Sequence, residues 1–449
     1  MFNLRKYQQD AILQAIINQN GVLVLPTGTG KSLVIAGICK QIQDPILILQ
    51  PSKEILEQNF EKIKAFTDED IGIYSASKGK REIHRITLAT IGSIKDLEQF
   101  SQFKILLIDE AHLVDSKAGR YCEFIEEMGF KKIIGLTATP YRLKSWREGF
   151  SWQFLHRTRP KIFEKILYIY QIKQAFEEGF LCRISYFKYE YDLTQLAETN
   201  LDYREDSVVK YNQSINIYET IINIVKNNAA RKHFLIFATT IDEAGYICEL
   251  LLREGLSGYY ISSKNTKKER EEILSEFKGG KVRFVVNVGV LTTGFDFPAL
   301  DCIILARPTK SLALYYQMVG RGVRPFPKKE TCEVYDLCGN WGTFGNLMTY
   351  EIEGDGAQTG LKNSDGWLIK PFIKQAFKGG DWEVPFGKYK GTSVKEVPTE
   401  YLQYCLNNFE NFFYKEQFEK ALNLRNVRRY TGSYFRTIKP CFLSHLFKL

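Results

Sequence analysis

No run of apolar residues in the 449-residue sequence approaches the length needed to cross a bilayer, and Met1-Phe2-Asn3-Leu4-Arg5-Lys6 lacks a signal-peptide core. Neither a membrane contact nor export is therefore expected. The nine cysteines are odd in number and form no Cys-x-x-Cys pair, which argues against a disulfide framework and for a reducing, cytoplasmic setting. Cys332 and Cys338 lie close together without two further ligands nearby, so they read as small buried residues and no zinc is expected. Low-complexity tracts and internal repeats are absent, which sets aside disorder and solenoids. Charge of one sign is not in large excess either: a net charge of +9 fits a polyanionic partner without demanding one.

What is present is a chain too long for a single core, with 44% hydrophobic and 25% charged residues, the balance of a folded protein of two or three domains. Short β-rich runs recur at Val22 to Leu25, Ile46 to Leu49, Ile105 to Ile108 and Ile133 to Leu136. Each is followed by a turn residue and then helix-like sequence, the rhythm of a parallel sheet. The rhythm restarts at Phe234 to Phe237, Phe284 to Val288 and Cys302 to Leu305. The fold class expected is α/β, with two tandem parallel-sheet lobes at 1–205 and 206–350. A Gly-rich linker at 351–381 and a small α+β or α-rich domain at 382–449 would follow. From Lys415 onward eight Lys or Arg face two Glu and alternate with Tyr430, Tyr434, Phe435 and Phe442. Such a pattern suits either phosphate contact and base stacking or a solvated basic surface over an aromatic core.

Two motifs carry chemistry. Leu25-Pro26-Thr27-Gly28-Thr29-Gly30-Lys31-Ser32 reads as a strand-to-helix turn whose glycines let backbone N–H groups approach a polyphosphate. Lys31 would reach the β/γ oxygens and Ser32 would offer its hydroxyl to Mg²⁺. Leu25 stands where a first glycine is usual, so the turn alone is weak evidence. About eighty residues later, Lys104-Ile105-Leu106-Leu107-Ile108-Asp109-Glu110 delivers two carboxylates at the end of a buried-type strand, where open α/β sheets bind ligands. Asp109 would hold the metal and Glu110 would orient or deprotonate the attacking water.

In the second lobe Gln317-Met318-Val319-Gly320-Arg321-Gly322-Val323-Arg324 carries two arginines that would share a helix face and neutralise charge on a transferring phosphoryl group. It lies behind Thr292-Thr293-Gly294-Phe295-Asp296, a strand-end loop suited to passing nucleotide state to a bound strand.

In this order the motifs resemble the superfamily 2 helicases and translocases, over roughly residues 3 to 345. The resemblance implies two RecA-like lobes, ATP with Mg²⁺ as cofactors, and a nucleic-acid partner. It implies that Arg5 and Gln8 of Leu4-Arg5-Lys6-Tyr7-Gln8 contact adenine, and that Thr27, Gly28, Thr29, Gly30, Lys31, Ser32, Gly294 and Asp296 line the nucleotide. Pro51, Ser52, Lys53 and Thr90 look like strand-contacting positions. His112, Thr137, Thr139, Phe237 and Thr293 look like coupling positions, and Gln317, Arg321 and Arg324 complete catalysis.

Gln317 stands in place of the His-Arg opening of typical DEAD-box RNA helicases and Thr137-Ala138-Thr139-Pro140 in place of their Ser-Ala-Thr, which favours forked, branched or duplex DNA over RNA. Connecting segments at Glu178 to Cys182 and Asp336 to Asn340 resemble RadD-like repair helicases and phage branch-migration helicases. The segment from Pro385 to Leu402 is similar to a small module of some exonuclease-like proteins, here without a nuclease carboxylate cluster. The function implied is an ATP-dependent DNA helicase or double-strand translocase in repair, recombination or replication, working as a monomer. An RNA helicase or the motor subunit of a restriction or defence assembly is the alternative.

Overall fold

A computed structural model describes residues 4–67, 69–76, 79–146, 149–199, 201–291, 295–371, 383–384, 387–408, 418–419 and 421–422. The first lobe's strands are β1 (Gly21–Val24), β2 (Ile46–Gln50), β3 (Ile71–Ser75), β4 (Lys80–Arg81), β5 (Ile86–Thr90), β6 (Ile105–Asp109) and β7 (Lys132–Thr137). A two-stranded hairpin of β8 (Tyr141–Trp146) and β9 (Gly149–Phe154) precedes β10 (Lys165–Ile169). Apart from the hairpin they form one sheet in the order β10-β1-β7-β6-β2-β5-β3-β4, parallel except for β4. Every residue of β1, β2 and β6 is buried, as a sheet covered by helices on both faces requires.

The second lobe contains β11 (Arg183–Lys188), β12 (Phe234–Phe237), β13 (Gly258–Ile261), β14 (Phe284–Asn287), β15 (Cys302–Leu305) and β16 (Thr331–Asp336). They form an all-parallel sheet in the order β11-β16-β15-β12-β14-β13. Its helices bury one stripe each, as in Ile217–Asn227, where Ile217, Tyr218, Ile221, Ile224 and Val225 are covered. One apolar cluster runs from the first sheet into one face of the second, and a separate cluster fills the other face.

The expected boundary at 205/206 is displaced. β11 already belongs to the second sheet, so the chain passes between sheets after Ile169 and before Arg183. As an edge strand, β11 is exposed at Arg183, Phe187 and Lys188 and fully buried only at Ile184, which hides its β character in the sequence. Residues 351–371 are likewise not a linker. β17 (Glu351–Glu353), β18 (Gly360–Asn363) and β19 (Gly366–Ile369) form an antiparallel sheet. This strap returns to the first lobe. Gln171 donates to Ile352 O at 2.7 Å and accepts from Ile352 N at 3.0 Å, His156 Nε2 meets Gly356 O at 2.8 Å, and Arg157 donates to the carbonyls of Ala357 and Thr359. The β8–β9 hairpin also bridges, with Trp152 Nε1 donating to Lys310 O at 3.0 Å.

A second compact unit spans 373–449. Its described part has a helix at Thr399–Asn408 and a core of Val384, Val394, Val397, Leu402, Cys405 and Phe418. Most of the basic, aromatic run beyond Lys415 lies outside the described residues. Among the described residues no helix is long and apolar enough to cross a membrane.

Candidate active site

The turn after β1 explains the unusual Leu25. Its N–H donates to Thr137 O at 3.0 Å, prolonging the ladder to β7, and its side chain is fully buried, so this position packs core and needs no glycine. The glycines that matter are Gly28 and Gly30, at φ +87° and +86°, where a side chain would be strained. A Cβ on Gly30 would stand 2.7 Å from Gln8 Nε2, and one on Gly28 would stand 3.3 Å from Arg324 Cγ. Thr29 closes the turn by donating from N and Oγ1 to Pro26 O at 3.3 and 2.7 Å. The helix Lys31–Gln41 then starts, its N-terminal end facing the turn.

Gln8 is buried against this turn, with Nε2 donating to Thr29 O at 3.1 Å and Oε1 accepting from Arg5 N at 2.9 Å. Tyr7 donates to the same carbonyl at 2.7 Å and stacks on Tyr170 at 3.9 Å, while the Arg5 guanidinium lies 3.9 Å over the Phe180 ring. Arg5 and Gln8 are thus gathered beside the phosphate turn.

At the end of β6, Asp109 accepts from Asn59 Nδ2 at 2.9 Å and from Glu110 N at 3.0 Å. Burial, then the neighbouring Glu110 charge, pushes its carboxyl up to about 6. Glu110 has φ +52°, a left-handed conformation that a non-glycine residue adopts at a cost. That turn aims its carboxylate at Lys31 Nζ, 3.5 Å away, and at His112 Nδ1, 3.3 Å away. Burial alone would raise Glu110, but Lys31, His112 and Arg321 outweigh it and hold the group ionised, well below the usual carboxylate range.

His112 bridges the two lobes. Its Nδ1 lies 2.9 Å from Thr137 Oγ1, which also accepts from Thr139 N at 3.0 Å, and its Nε2 lies 2.9 Å from Gln317 Nε2. With the Gln317 amide donating, the ring proton sits on Nδ1. Gln317 occupies the last turn of the helix Leu312–Val319, capped by Ser311 Oγ.

The helix ends at Val319, so Arg321 and Arg324 do not share a helix face as expected; they lie in the loop beyond it. Gly322 packs too tightly for any side chain, a Cβ there standing 2.3 Å from Cys332 Sγ, and Pro325 follows. Arg321 Nη1 donates to Phe295 O at 2.7 Å and Arg324 pairs with Asp296. Burial lowers both guanidiniums to about 10, against the opposing attraction of Glu110 for Arg321. The seam is therefore closed at several points, with Gly320 facing Thr27, Arg324 facing Gly28 and Gln317 facing His112.

Other expected positions are less central. Ser52 caps the helix Lys53–Phe66 through Ile55 N, Thr90 Oγ1 meets Ser93 Oγ at 2.7 Å, and Pro51 and Lys53 are half-buried beside them. Phe237 is 1% exposed in the core of the second sheet, a packing position rather than a contact surface. Thr293 and Gly294 lie outside the described residues. Asn59 was missed. It sits buried between Leu56 and Ile63 on the apolar stripe of its helix, and a lone amide at that period was the available signal.

Residues 1–142 match the family model of the type III restriction enzyme res subunit, and residues 216–325 match the helicase conserved C-terminal domain. The chain belongs to the superfamily 2 helicases. Among its relatives, the putative ATP-dependent helicase IRC3 of Saccharomyces cerevisiae is 27% identical over 75% of this chain and 51% of that protein. The DNA 3'-5' translocase XPB2 of Sulfurisphaera tokodaii is 25% identical over 73% of this chain and 80% of that one. The DNA-bound ATP-dependent type ISP restriction-modification enzyme LlaBIII shares the helicase fold, with a TM-score of 0.57 and 18% identity over 75% of this chain and 28% of its own. The match to the yeast relative spans about half of its length.

Proposed function

We propose that this superfamily 2 protein is an ATP-driven DNA helicase or double-strand translocase acting on forked or branched DNA in repair, recombination or replication. The observation that carries the reading is the seam. Lys31, Glu110 and His112 of one lobe meet Gln317, Arg321 and Arg324 of the other, so the chemistry is complete only when the lobes are closed. That is the requirement for coupling hydrolysis to motion.

The glycine cradle and the buried Asp109 carboxyl fit ATP and Mg²⁺ respectively, with Ser32 as a second metal-side oxygen. Magnesium supplies charge neutralisation on the phosphates. Lys31 binds the β/γ oxygens. Glu110, held ionised, orients the attacking water as a fixed acceptor, and Arg321 and Arg324 stabilise the charge that develops on the transferred group. Arg5 and Gln8 hold the base, while Pro51, Ser52, Lys53 and Thr90 contact the strand. Gln317, His112, Thr137 and Thr139 pass lobe closure between the two halves.

The test is ATP turnover with single-stranded DNA, forked duplex, four-way junction and RNA at matched salt, because salt alone shifts such affinities by orders of magnitude. Stimulation is expected from forked or branched DNA above RNA; turnover indifferent to every nucleic acid would sink the reading. A second reading, the motor subunit of a restriction assembly, is favoured by the res-subunit match over residues 1–142. Co-purification of a nuclease or methyltransferase partner would select it.

A further inference from the structure

Downstream of the arginine loop, Lys329 follows a tight turn in which Lys328 is left-handed at φ +67° and Lys329 N donates to Phe326 O at 3.0 Å. The turn sends the Lys329 side chain back toward the loop it has just left. Its ammonium donates to Gly322 O at 2.7 Å, Arg324 O at 3.0 Å and Pro298 O at 3.0 Å. An ammonium has three protons and no acceptor, so all three are committed to backbone carbonyls of two loops. The carbonyl between, Val323 O, accepts from Cys182 N at 2.7 Å, so three consecutive carbonyls of the arginine loop are tethered. The second loop clamped by Lys329 also supplies Phe295 O to Arg321 and Asp296 to Arg324.

We propose that Lys329 is a positioning residue of the ATPase site, locking the Arg321–Arg324 loop to the 295–298 loop so that both guanidiniums face the phosphate turn. The inference rests on the reading of these arginines as phosphate contacts. Without helical hydrogen bonds, the loop depends on such ties for its shape, and donors that are charged make the stronger ones. Lys329 touches neither Lys31 nor Glu110 and acts only through the backbone it holds. Burial lowers its affinity for a proton, with Cys332, Cys182 and Asp301 opposing that and Arg324 adding to it, which is consistent with an enclosed clamp.

The full chain is tested as Lys329→Met and Lys329→Arg, each alone and combined with Arg321→Ala, by steady-state ATP hydrolysis with forked DNA and by thermal unfolding. Lys329→Met is expected to lower kcat on the order of 10–100-fold with KM for ATP changed by less than about threefold, as misplacing a transition-state donor does. Lys329→Arg keeps the charge but not the three-way geometry, and should recover part of the rate. In the Arg321→Ala background Lys329→Met should cost less than it does alone, because only the displacement of Arg324 remains to be felt. Wild-type kcat in Lys329→Met, or losses that multiply in the double variant, would overturn the assignment. Wild-type hydrolysis by Arg321→Ala would instead overturn the arginine reading itself.

Discussion

The Gln317 side-chain amide lies 2.9 Å from His112 Nε2, joining the last turn of a second-lobe helix to the strand end that carries Asp109 and Glu110. The other ring nitrogen faces Thr137 and Glu110, so one imidazole spans from the second lobe to the carboxylate, the path proposed for coupling. Gln317→Ala removes a hydrogen bond worth about 1 kcal/mol to closure and should leave ATP binding intact. The expected outcome is basal hydrolysis within a few-fold of wild type and fewer base pairs separated or traversed per ATP. An unchanged ratio of displacement to hydrolysis would remove this contact from the coupling path.

Lys31 and Glu110 are tested as a pair. Lys31→Ala should lose hydrolysis by at least about 100-fold, as deletion of a catalytic charge does. Glu110→Gln should retain binding of a fluorescent ATP analogue while turnover stops. Normal hydrolysis by Glu110→Gln would mean that another group orients the water.

The sheet strands and both chemical motifs were legible because they are short, fully apolar runs ending in polar residues, as in Ile105 to Glu110. The failures have a common cause. β11 is half exposed at a sheet edge, and the strap at 351–371 is rich in glycine and polar residues, so neither carries a strong apolar period. Arg321 and Arg324 have helical spacing, yet the fit of Gly322 onto Cys332 takes them out of the helix, which only tertiary packing reveals. Lys329 was invisible because its partners are backbone carbonyls, which leave no sequence signature.

Asn59 gives a stability prediction with a pH sign. In the fold, burial and the Glu110 charge push the Asp109 carboxyl up from 3.8 to about 6, so the folded state holds the proton longer. The contribution of Asp109 to stability is then greatest below pH 4 and falls as pH rises from about 4 to about 6, where the buried carboxylate must ionise; Glu110, held low, contributes with the opposite sign on acidification. Asn59→Asp replaces the donor with a second carboxylate and should steepen that fall, read as a larger drop in Tm between pH 4 and 8, about two units either side of the folded value. Asn59→Leu leaves Asp109 and Gln50 Oε1 without their donor, should cost about 1–3 kcal/mol, and should steepen the fall as well, by less than Asn59→Asp, because the hydrogen bond that favours the Asp109 carboxylate is lost without a second charge being added. Identical Tm profiles for wild type and Asn59→Asp would contradict the shift.

The strap should make the two lobes unfold together. Gln171 supplies both hydrogen bonds to Ile352, and Arg157 holds the carbonyls of Ala357 and Thr359. Combining Gln171→Leu with Arg157→Met removes the partners of the part-buried Ile352 N–H and carbonyl and of the Thr359 carbonyl, at up to about 1–3 kcal/mol each, while the exposed Ala357 carbonyl can be hydrated. Calorimetry should then resolve two transitions where the wild-type lobes give one. A single transition at lowered Tm would mean that the apolar seam alone couples the lobes.

Removal of the second unit tests whether substrate choice rests on it or on the two lobes. The core of Val384, Val394, Val397, Leu402 and Cys405 shares no residue with the clusters that fill the two lobes, so a chain ending after Pro371 keeps every buried side chain of the lobes and the strap. It should therefore fold and retain basal ATPase. If the unit reads substrate, the truncated chain loses its preference for forked over linear DNA while its maximal turnover stays within about threefold, because discrimination and chemistry then rest on different contacts. Equal structure preference in both chains would assign the whole of substrate choice to the two lobes, and loss of basal turnover would show that the unit supports the motor itself.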